Sequence, residues 1–283
     1  RHTGQPEEAL RVFQDLSERL PLPAWIQIGH LHRDQGLRSG ALLAYQEALK
    51  HTIVAQQESQ LRLLITEVLQ QEELFAPSNS NALREGLEFI NQLESEDPTA
   101  IHLRRALFGE QHPMPPPGYV AELFDDYADR FDDHLLNTLA YQVPMLVAAR
   151  VNQLCQSGAT VLDLGVGTGL LAAHITGTVH LIGVDISAKM LELARSRGGY
   201  EELYQAEIVP FLRQSSLRPD VVVVADTLVY FGELEPFFAA LIEVLTAGSV
   251  VVLTSERGTS ASYQLRHTGR YAHSPEYLRR CAE

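Results

Sequence analysis

Apolar residues follow two different rules along this chain. Before residue 109 they recur at three- and four-residue intervals, as in Leu61, Leu64, Ile65, Val68 and Leu69, and again in Leu83, Leu87, Ile90 and Leu93, which is the spacing of one helix face. From Ala159 onward that period gives way to short continuous runs: Thr160 to Leu164, His180 to Val184, Leu203 to Ala206, Val221 to Ala225 and Ser249 to Thr254. Runs of this length, rich in Val and bounded by glycine and polar residues, predict strands buried on both faces of a parallel sheet. The segments between them, such as Glu235 to Leu245, predict crossover helices. Between the two regimes lies His112-Pro113-Met114-Pro115-Pro116-Pro117-Gly118, which cannot continue a helix and reads as a semi-rigid spacer. The predicted organisation is a helical domain over 1–111, a Pro-rich linker over 112–118 and an α/β domain over 119–283.

The helical half repeats itself. Gly4, Ala9 and Phe13 return 32 residues later as Gly36, Ala41 and Tyr45. Trp25, Ile28, Gly29, Ala41, Ala44, Tyr45, Ala48 and Leu49 fall at helical spacings, with small residues where two helices approach closely. Pro77 to Asn81 punctuates the later helices with turn residues. The unit resembles the tetratricopeptide repeat, whose period is about 34 residues. That resemblance implies stacked helix pairs with a groove for a protein or peptide partner; taken singly, each stripe residue reads simply as core.

Immediately after the linker, residues 119 to 133 carry six acids against one Arg, while Leu123, Tyr127, Phe131 and Leu135 share a face. The acids read as the solvated side of an amphipathic helix. Then comes a strand, a turn Gly165-Val166-Gly167-Thr168-Gly169, and a predicted helix start at Leu170 to Ile175. Glycines there let backbone approach a ligand. The second strand ends at Asp185, 20 residues after Gly165, the offset at which an acid takes ribose hydroxyls. A dinucleotide fingerprint wants a third glycine where Leu170 stands, and the buried Asp163 two residues before Gly165 would repel a pyrophosphate.

The string Val161-Leu162-Asp163-Leu164-Gly165-Val166-Gly167-Thr168-Gly169 resembles motif I of the class I S-adenosylmethionine-dependent methyltransferases. Val184-Asp185-Ile186-Ser187-Ala188-Lys189-Met190 is similar to the second motif, Leu203 to Glu207 to the third, and Asp226-Thr227-Leu228 to the end of the fourth strand. The segment Leu123 to Asp132, with Tyr263 to Tyr277, resembles methyltransferases that carry amino-terminal tetratricopeptide repeats. The resemblance implies a Rossmann-like sheet with helices on both faces and S-adenosyl-L-methionine as cofactor. It implies cofactor contacts at Tyr119, Tyr127, Asp163, Gly165, Val166, Gly167, Gly169, Asp185, Ile186, Met190, Ala206, Glu207, Asp226 and Leu228. Within that set Asp185 holds the ribose, Ile186 and Met190 face the adenine, and the helix of Tyr127 forms a lid with Tyr119 at its entrance. Met190 and Tyr127 also fit plain core packing, and Glu207 stands where the family has Asp.

Composition narrows the acceptor. The formal charge is −14, from 22 Lys plus Arg against 36 Asp plus Glu, a field that repels phosphate backbones and argues against nucleic acid. Apolar runs fall short of the roughly 20 residues of a membrane span, and two distant cysteines, Cys155 and Cys281, suit a reducing, cytoplasmic setting. Neither cysteine fits cytosine C5 chemistry, and Asp226 alone does not make a metal site. A small-molecule or protein acceptor remains, methylated at oxygen or nitrogen. In-line methyl transfer needs position more than acid-base groups, so Tyr127 and His273, with His134, are the catalytic candidates. A non-catalytic cofactor-binding adaptor and an NAD(P)-dependent oxidoreductase are the alternatives. The start without Met and the legibility of only five strands suggest an excised fragment.

Overall fold

A computed structural model of the chain describes residues 9, 12–14, 16–17, 19–34, 38–51, 98, 101–102, 105–106, 109–133, 135, 141–266 and 268–283. The chain divides into two compact units, Arg1–Gly109 with His267–Gly269, and Glu110–Arg266 with Arg270–Glu283. In the first, α1 (Pro21–Asp34) packs on α2 (Arg38–Leu49). Ala24, Ile28, Ala41, Ala44, Tyr45 and Ala48 are buried there. A Cβ on Gly29 would stand 2.2 Å from the Tyr45 ring, so glycine is what lets that ring lie against α1. The small residues do sit where the helices approach. The predicted stripes of Leu61 to Leu69 and Leu83 to Leu93, with the turn at Pro77 to Asn81, lie outside the described residues.

The second unit opens with α3 (Tyr119–Asp133) and α4 (Val143–Leu154) and then alternates strands and helices: β1 (Ala159–Leu164), β2 (Val179–Asp185), α5 (Ala188–Arg197), β3 (Glu202–Gln205), α6 (Ile208–Gln214), β4 (Val221–Val224), α7 (Glu235–Val244) and β5 (Val250–Leu253). All pairings in this five-stranded sheet are parallel, in the order β3-β2-β1-β4-β5. This is the predicted Rossmann-like architecture. Period-two alternation sends the central strands' side chains to both faces. Leu162, Leu164, Ile182, Val184, Val222 and Val224 meet Phe237, Leu241 and Val244 of α7 on one side. Val161, Leu181, Val221 and Val223 meet Val147, Ala148 and Val151 of α4 on the other.

Three features differ from the sequence expectation. The helix predicted from Leu170 is a single 3-10 turn, Ala172–His174. Only a few residues separate Gly169 from Thr176-Gly177, too few to offset helix nucleation, and Asn152 ends the turn by donating to His174 O and accepting from Thr176 N. Beyond β5, β6 (Glu256–Arg257), β7 (Tyr263–Leu265) and β8 (Tyr271–His273) form a second sheet in the order β6-β8-β7, followed by α8 (Pro275–Ala282). The Pro-rich segment lies within the second unit, where Pro113 O accepts from Gly232 N at 3.0 Å and Glu233 N at 2.8 Å.

Candidate functional site

Strand order reverses beside β1, where β2 lies on one flank and β4 on the other, and in open α/β sheets ligands bind beyond the strand carboxyl ends at such a point. The glycine loop occupies that place. Gly165, Gly167 and Gly169 all have positive φ, at 89°, 56° and 81°. At Gly165 a side chain is excluded twice over, because a Cβ would also lie 2.1 Å from Thr227 Oγ1. Gly165 N and Val166 N donate to Val184 O, at 2.8 and 3.2 Å, fastening the loop to the end of β2.

Asp185 organises the loop further. Its Oδ2 accepts from Gly167 N at 2.8 Å and its Oδ1 from Ser187 N at 2.9 Å, so one carboxylate ties the glycine loop to the start of α5. Burial pushes its pKa up, although these N–H donors pull the other way. Ser187 caps α5, accepting from Met190 N at 3.1 Å. Ala206 N donates to Asp185 O at 3.0 Å, which brings half-buried Ile186 and Ala206 to the same edge as Asp185. Glu207 is exposed at the start of α6.

Asp163 lies under the loop, 2% exposed, and accepts a 2.6 Å hydrogen bond from the Tyr200 hydroxyl. Burial raises its pKa to about 7; the Tyr200 bond lowers it and the Asp185 charge raises it.

Helix α3 is fastened over this loop by two of the acids read above as solvated, which corrects that expectation. Asp125 Oδ1 accepts from Ser187 Oγ at 2.5 Å, while Lys189 Nζ donates to Asp125 O at 2.9 Å. Asp132 accepts from Thr168 Oγ1 and pairs with Arg197, whose Nε donates to Thr168 O at 2.8 Å. The apolar face of the helix carries Phe124, Tyr127 and Phe131, with Tyr127 and Phe131 T-shaped at 5.4 Å and Phe124 against Tyr230 at 5.2 Å. Tyr119, the first residue of α3, is 2% exposed.

At the end of β4, Asp226 is the non-glycine residue with positive φ, 51°, among the described residues. Such a backbone costs on the order of 1 kcal/mol and persists where surroundings enforce it. Here Asp226 N donates to Thr254 Oγ1 at 2.7 Å, Oδ1 accepts from that hydroxyl at 3.0 Å, and Oδ2 accepts from Tyr141 at 2.6 Å.

Several expected site residues are placed elsewhere. Leu228 is fully buried in the main core, and Met190 is fully buried on α5. His273 is also fully buried. Its Nε2 faces Phe231 O at 2.8 Å and Gly232 O at 3.2 Å; two carbonyls require the proton there, so Nδ1 accepts from Ser255 Oγ at 2.9 Å. Burial lowers its pKa and keeps it neutral, and with both nitrogens used it is structural rather than a base open to an acceptor. His134 lies outside the described residues. Tyr200, Tyr141, Thr254 and the two α3 acids were not singled out from sequence, because their partners lie between 28 and 85 positions away and leave no local signature.

Residues 161–248 match the family model described as a methyltransferase domain. This stretch is the methyltransferase-like part of the chain. The match runs from within β1 to the turn before β5, the same segment that builds the loop and the Asp185 bridge. The chain is 34% identical over 97 residues to trans-aconitate 2-methyltransferase of Paracidovorax citrulli (strain AAC00-1), covering 33% of this chain and 37% of that protein. It is 34% identical over 104 residues to methyltransferase-like protein 27 of Homo sapiens, covering 35% and 42%. It thus spans about two fifths of the length of these curated relatives. Among solved structures, the fold is similar to magnesium protoporphyrin IX methyltransferase from Synechocystis PCC 6803 with bound SAH, at 19% identity, 57% and 84% coverage and TM-score 0.43. It is also similar to the DhpI-SAH complex, at 19% identity, 56% and 82% coverage and TM-score 0.44.

Proposed function

We propose that the methyltransferase domain binds S-adenosyl-L-methionine at the carboxyl edge of β1 and β2 and transfers its methyl group to an oxygen or nitrogen acceptor on a small molecule or protein. The observation that carries this reading is the Asp185 bridge. Its two oxygens gather the N–H groups of Gly167 and Ser187 at the tip of β2, and each keeps a lone pair for a ribose hydroxyl. The surrounding residues suit the same cofactor. Among the described residues, a Cβ on Gly167 would meet only the Phe131 ring within 4 Å, at 3.8 Å, so backbone at that point can approach a ligand closely. Ile186 and Ala206 offer half-buried apolar contacts for an adenine, and Asp163 supplies a carboxylate under the loop for a cationic amino group.

When bound, this cofactor supplies a methyl group activated by a sulfonium. The chain's own residues bind and orient: the glycine loop and Asp185 fix position, and α3, fastened through Asp125 and Asp132, excludes water with Phe124, Tyr127 and Phe131. Asp226, pinned by Tyr141 and Thr254, presents a carboxylate at the neighbouring strand end. Holding nucleophile and methyl at near-attack distance is the larger part of such catalysis. The amino-terminal helices, read as repeats of the tetratricopeptide type, recruit a protein partner or the substrate. Free cysteines at Cys155 and Cys281 suit a cytoplasmic setting.

Calorimetry with S-adenosylhomocysteine tests the cofactor directly, with saturable heat and a raised melting temperature expected. No heat and no thermal shift sinks the reading. A labelled-methyl screen on cell extract then separates an enzyme from a cofactor-binding adaptor: the enzyme labels an acceptor, and the Gly167→Leu variant does not.

A further inference from the structure

Asp163 is enclosed by strand and loop, and the side chain that reaches it comes from well downstream. Tyr200 follows the Gly198-Gly199 turn after α5, and its ring lies beneath the glycine loop: a Cβ on Gly169 would stand 3.3 Å from Tyr200 Cε2, and one on Gly183 of β2 would stand 3.0 Å from Tyr200 Cδ1. The ring therefore fills space left by two glycines, one in the loop and one in the neighbouring strand. Its hydroxyl ends 2.6 Å from Asp163 Oδ2. In β1, Asp163 is in register with Gly183 on one side and Val223 on the other, so its strand neighbours bring no polar side chain to it.

We propose that Tyr200 is a positioning residue of the cofactor site, holding the Asp163 carboxylate ionised and aimed under the glycine loop. The inference rests on the cofactor reading above and deepens it. A buried carboxylate without a donor would neutralise itself and lose its value for a cationic group. Tyr200 supplies a donor without charge, so the carboxylate keeps its attraction for the cofactor's amino group. Among the described residues, the titratable groups acting on Asp163 are Tyr200 and Asp185. Tyr200 itself faces Asp163, Asp185 and Arg197, and Asp185 faces Asp125. Burial has already brought Asp163 to about 7 with the Tyr200 bond in place. Loss of that bond moves its ionisation to higher pH.

The experiment is S-adenosylhomocysteine affinity by calorimetry from pH 6 to pH 9 on the full chain, for wild type, Tyr200→Phe and Asp163→Asn. Wild-type affinity is expected to rise through neutral pH as Asp163 ionises. Tyr200→Phe keeps the ring between the two glycines, so it binds close to wild type at pH 9 while its rise moves upward by about one pH unit, a roughly fivefold loss near pH 7. Asp163→Asn, whose amide oxygen still accepts from Tyr200, loses the neutral rise altogether and keeps the assay decisive should Tyr200→Phe fail to fold. A Tyr200→Phe curve that is unchanged, or lowered by one factor at every pH, overturns the proposal. So does a neutral rise that persists in Asp163→Asn. A wild type that ignores S-adenosylhomocysteine at every pH overturns the cofactor reading itself, a result distinct from either.

Discussion

The carboxyl edge of the sheet is built in two ways on the two sides of the strand reversal. On the β1/β2 side the backbone does the holding: Gly165 N, Val166 N, Gly167 N and Ser187 N converge on Val184 O and Asp185. On the β4/β5 side the holding is by side chains, with Tyr141 and Thr254 clamping Asp226 and the Thr227 hydroxyl shared between Leu164 O and Ala225 O, each at 3.0 Å. Backbone donors are the same in every sequence, so the first side depends only on the residues that permit its conformation, chiefly glycine, and on one acid. The second side is specified residue by residue. A fixed cofactor suits the first design, and an acceptor that varies between enzymes suits the second.

The sharpest way to break this contrast is Gly165→Val. A side chain at φ 89° and 2.1 Å from Thr227 Oγ1 costs about 2–4 kcal/mol, with loss of S-adenosylhomocysteine binding by calorimetry and a melting temperature lower by roughly 5–15 °C. A variant that binds normally removes the case for a backbone-built side. Asp185→Ala comes next: it strands two N–H donors and lowers S-adenosylhomocysteine affinity by about 100-fold, or 2–3 kcal/mol.

Asp163→Asn acts on stability with the opposite sign. Its ionisation is raised in the folded state, so the native protein binds more protons than the unfolded chain between about pH 4 and about pH 7, and stability is lost as pH rises through that window. The apoprotein of Asp163→Asn is therefore expected to resist urea better than wild type at pH 8, by about 2–4 kcal/mol, with the gap closing by pH 4. Equal stability at pH 8 would show that the carboxylate is not strained by its burial.

Tyr141→Phe sharpens the other side. It removes one charge-assisted bond, costing about 1–2 kcal/mol in urea unfolding, while S-adenosylhomocysteine affinity falls far less than in Asp185→Ala. An equal fall in both would merge the two sides into one site. Smallest is Asp132→Asn. The Asp132–Arg197 pair is partly exposed, with 37% and 29% of the side chains accessible, so its effect stays below about 1 kcal/mol, is blunted by salt, and registers chiefly as faster S-adenosylhomocysteine release in stopped flow.

Legibility in the sequence follows the same divide. Valine runs and the glycine turn announce strands and loop because parallel strands and positive φ each admit few residue types, and Asp185 is found by its offset from Gly165. Tyr200 and Tyr141 are not found, since nothing near them in sequence differs from an ordinary aromatic. Asp125 and Asp132 were hidden in a run of acids whose members look alike until Ser187 and Thr168 arrive from the loop side. The helix predicted after Gly169 failed on length, and strands of two or three residues such as β6 and β8 carry no period to detect. Leu228 and His273 lie in motif-like strings, yet packing assigns them to the interior.

The 3-10 turn that replaces a helix after the glycine loop has a consequence for where this domain can be cut. A crossover that short cannot shelter Val161, Leu181, Val221 and Val223, and it is α4, preceding β1 in the chain, that covers them with Val147, Ala148 and Val151. The stretch that matches the family model begins at residue 161 and leaves that cover behind. An excised piece starting there would expose a valine-rich sheet face and aggregate, whereas the smallest autonomous piece begins ahead of Val143.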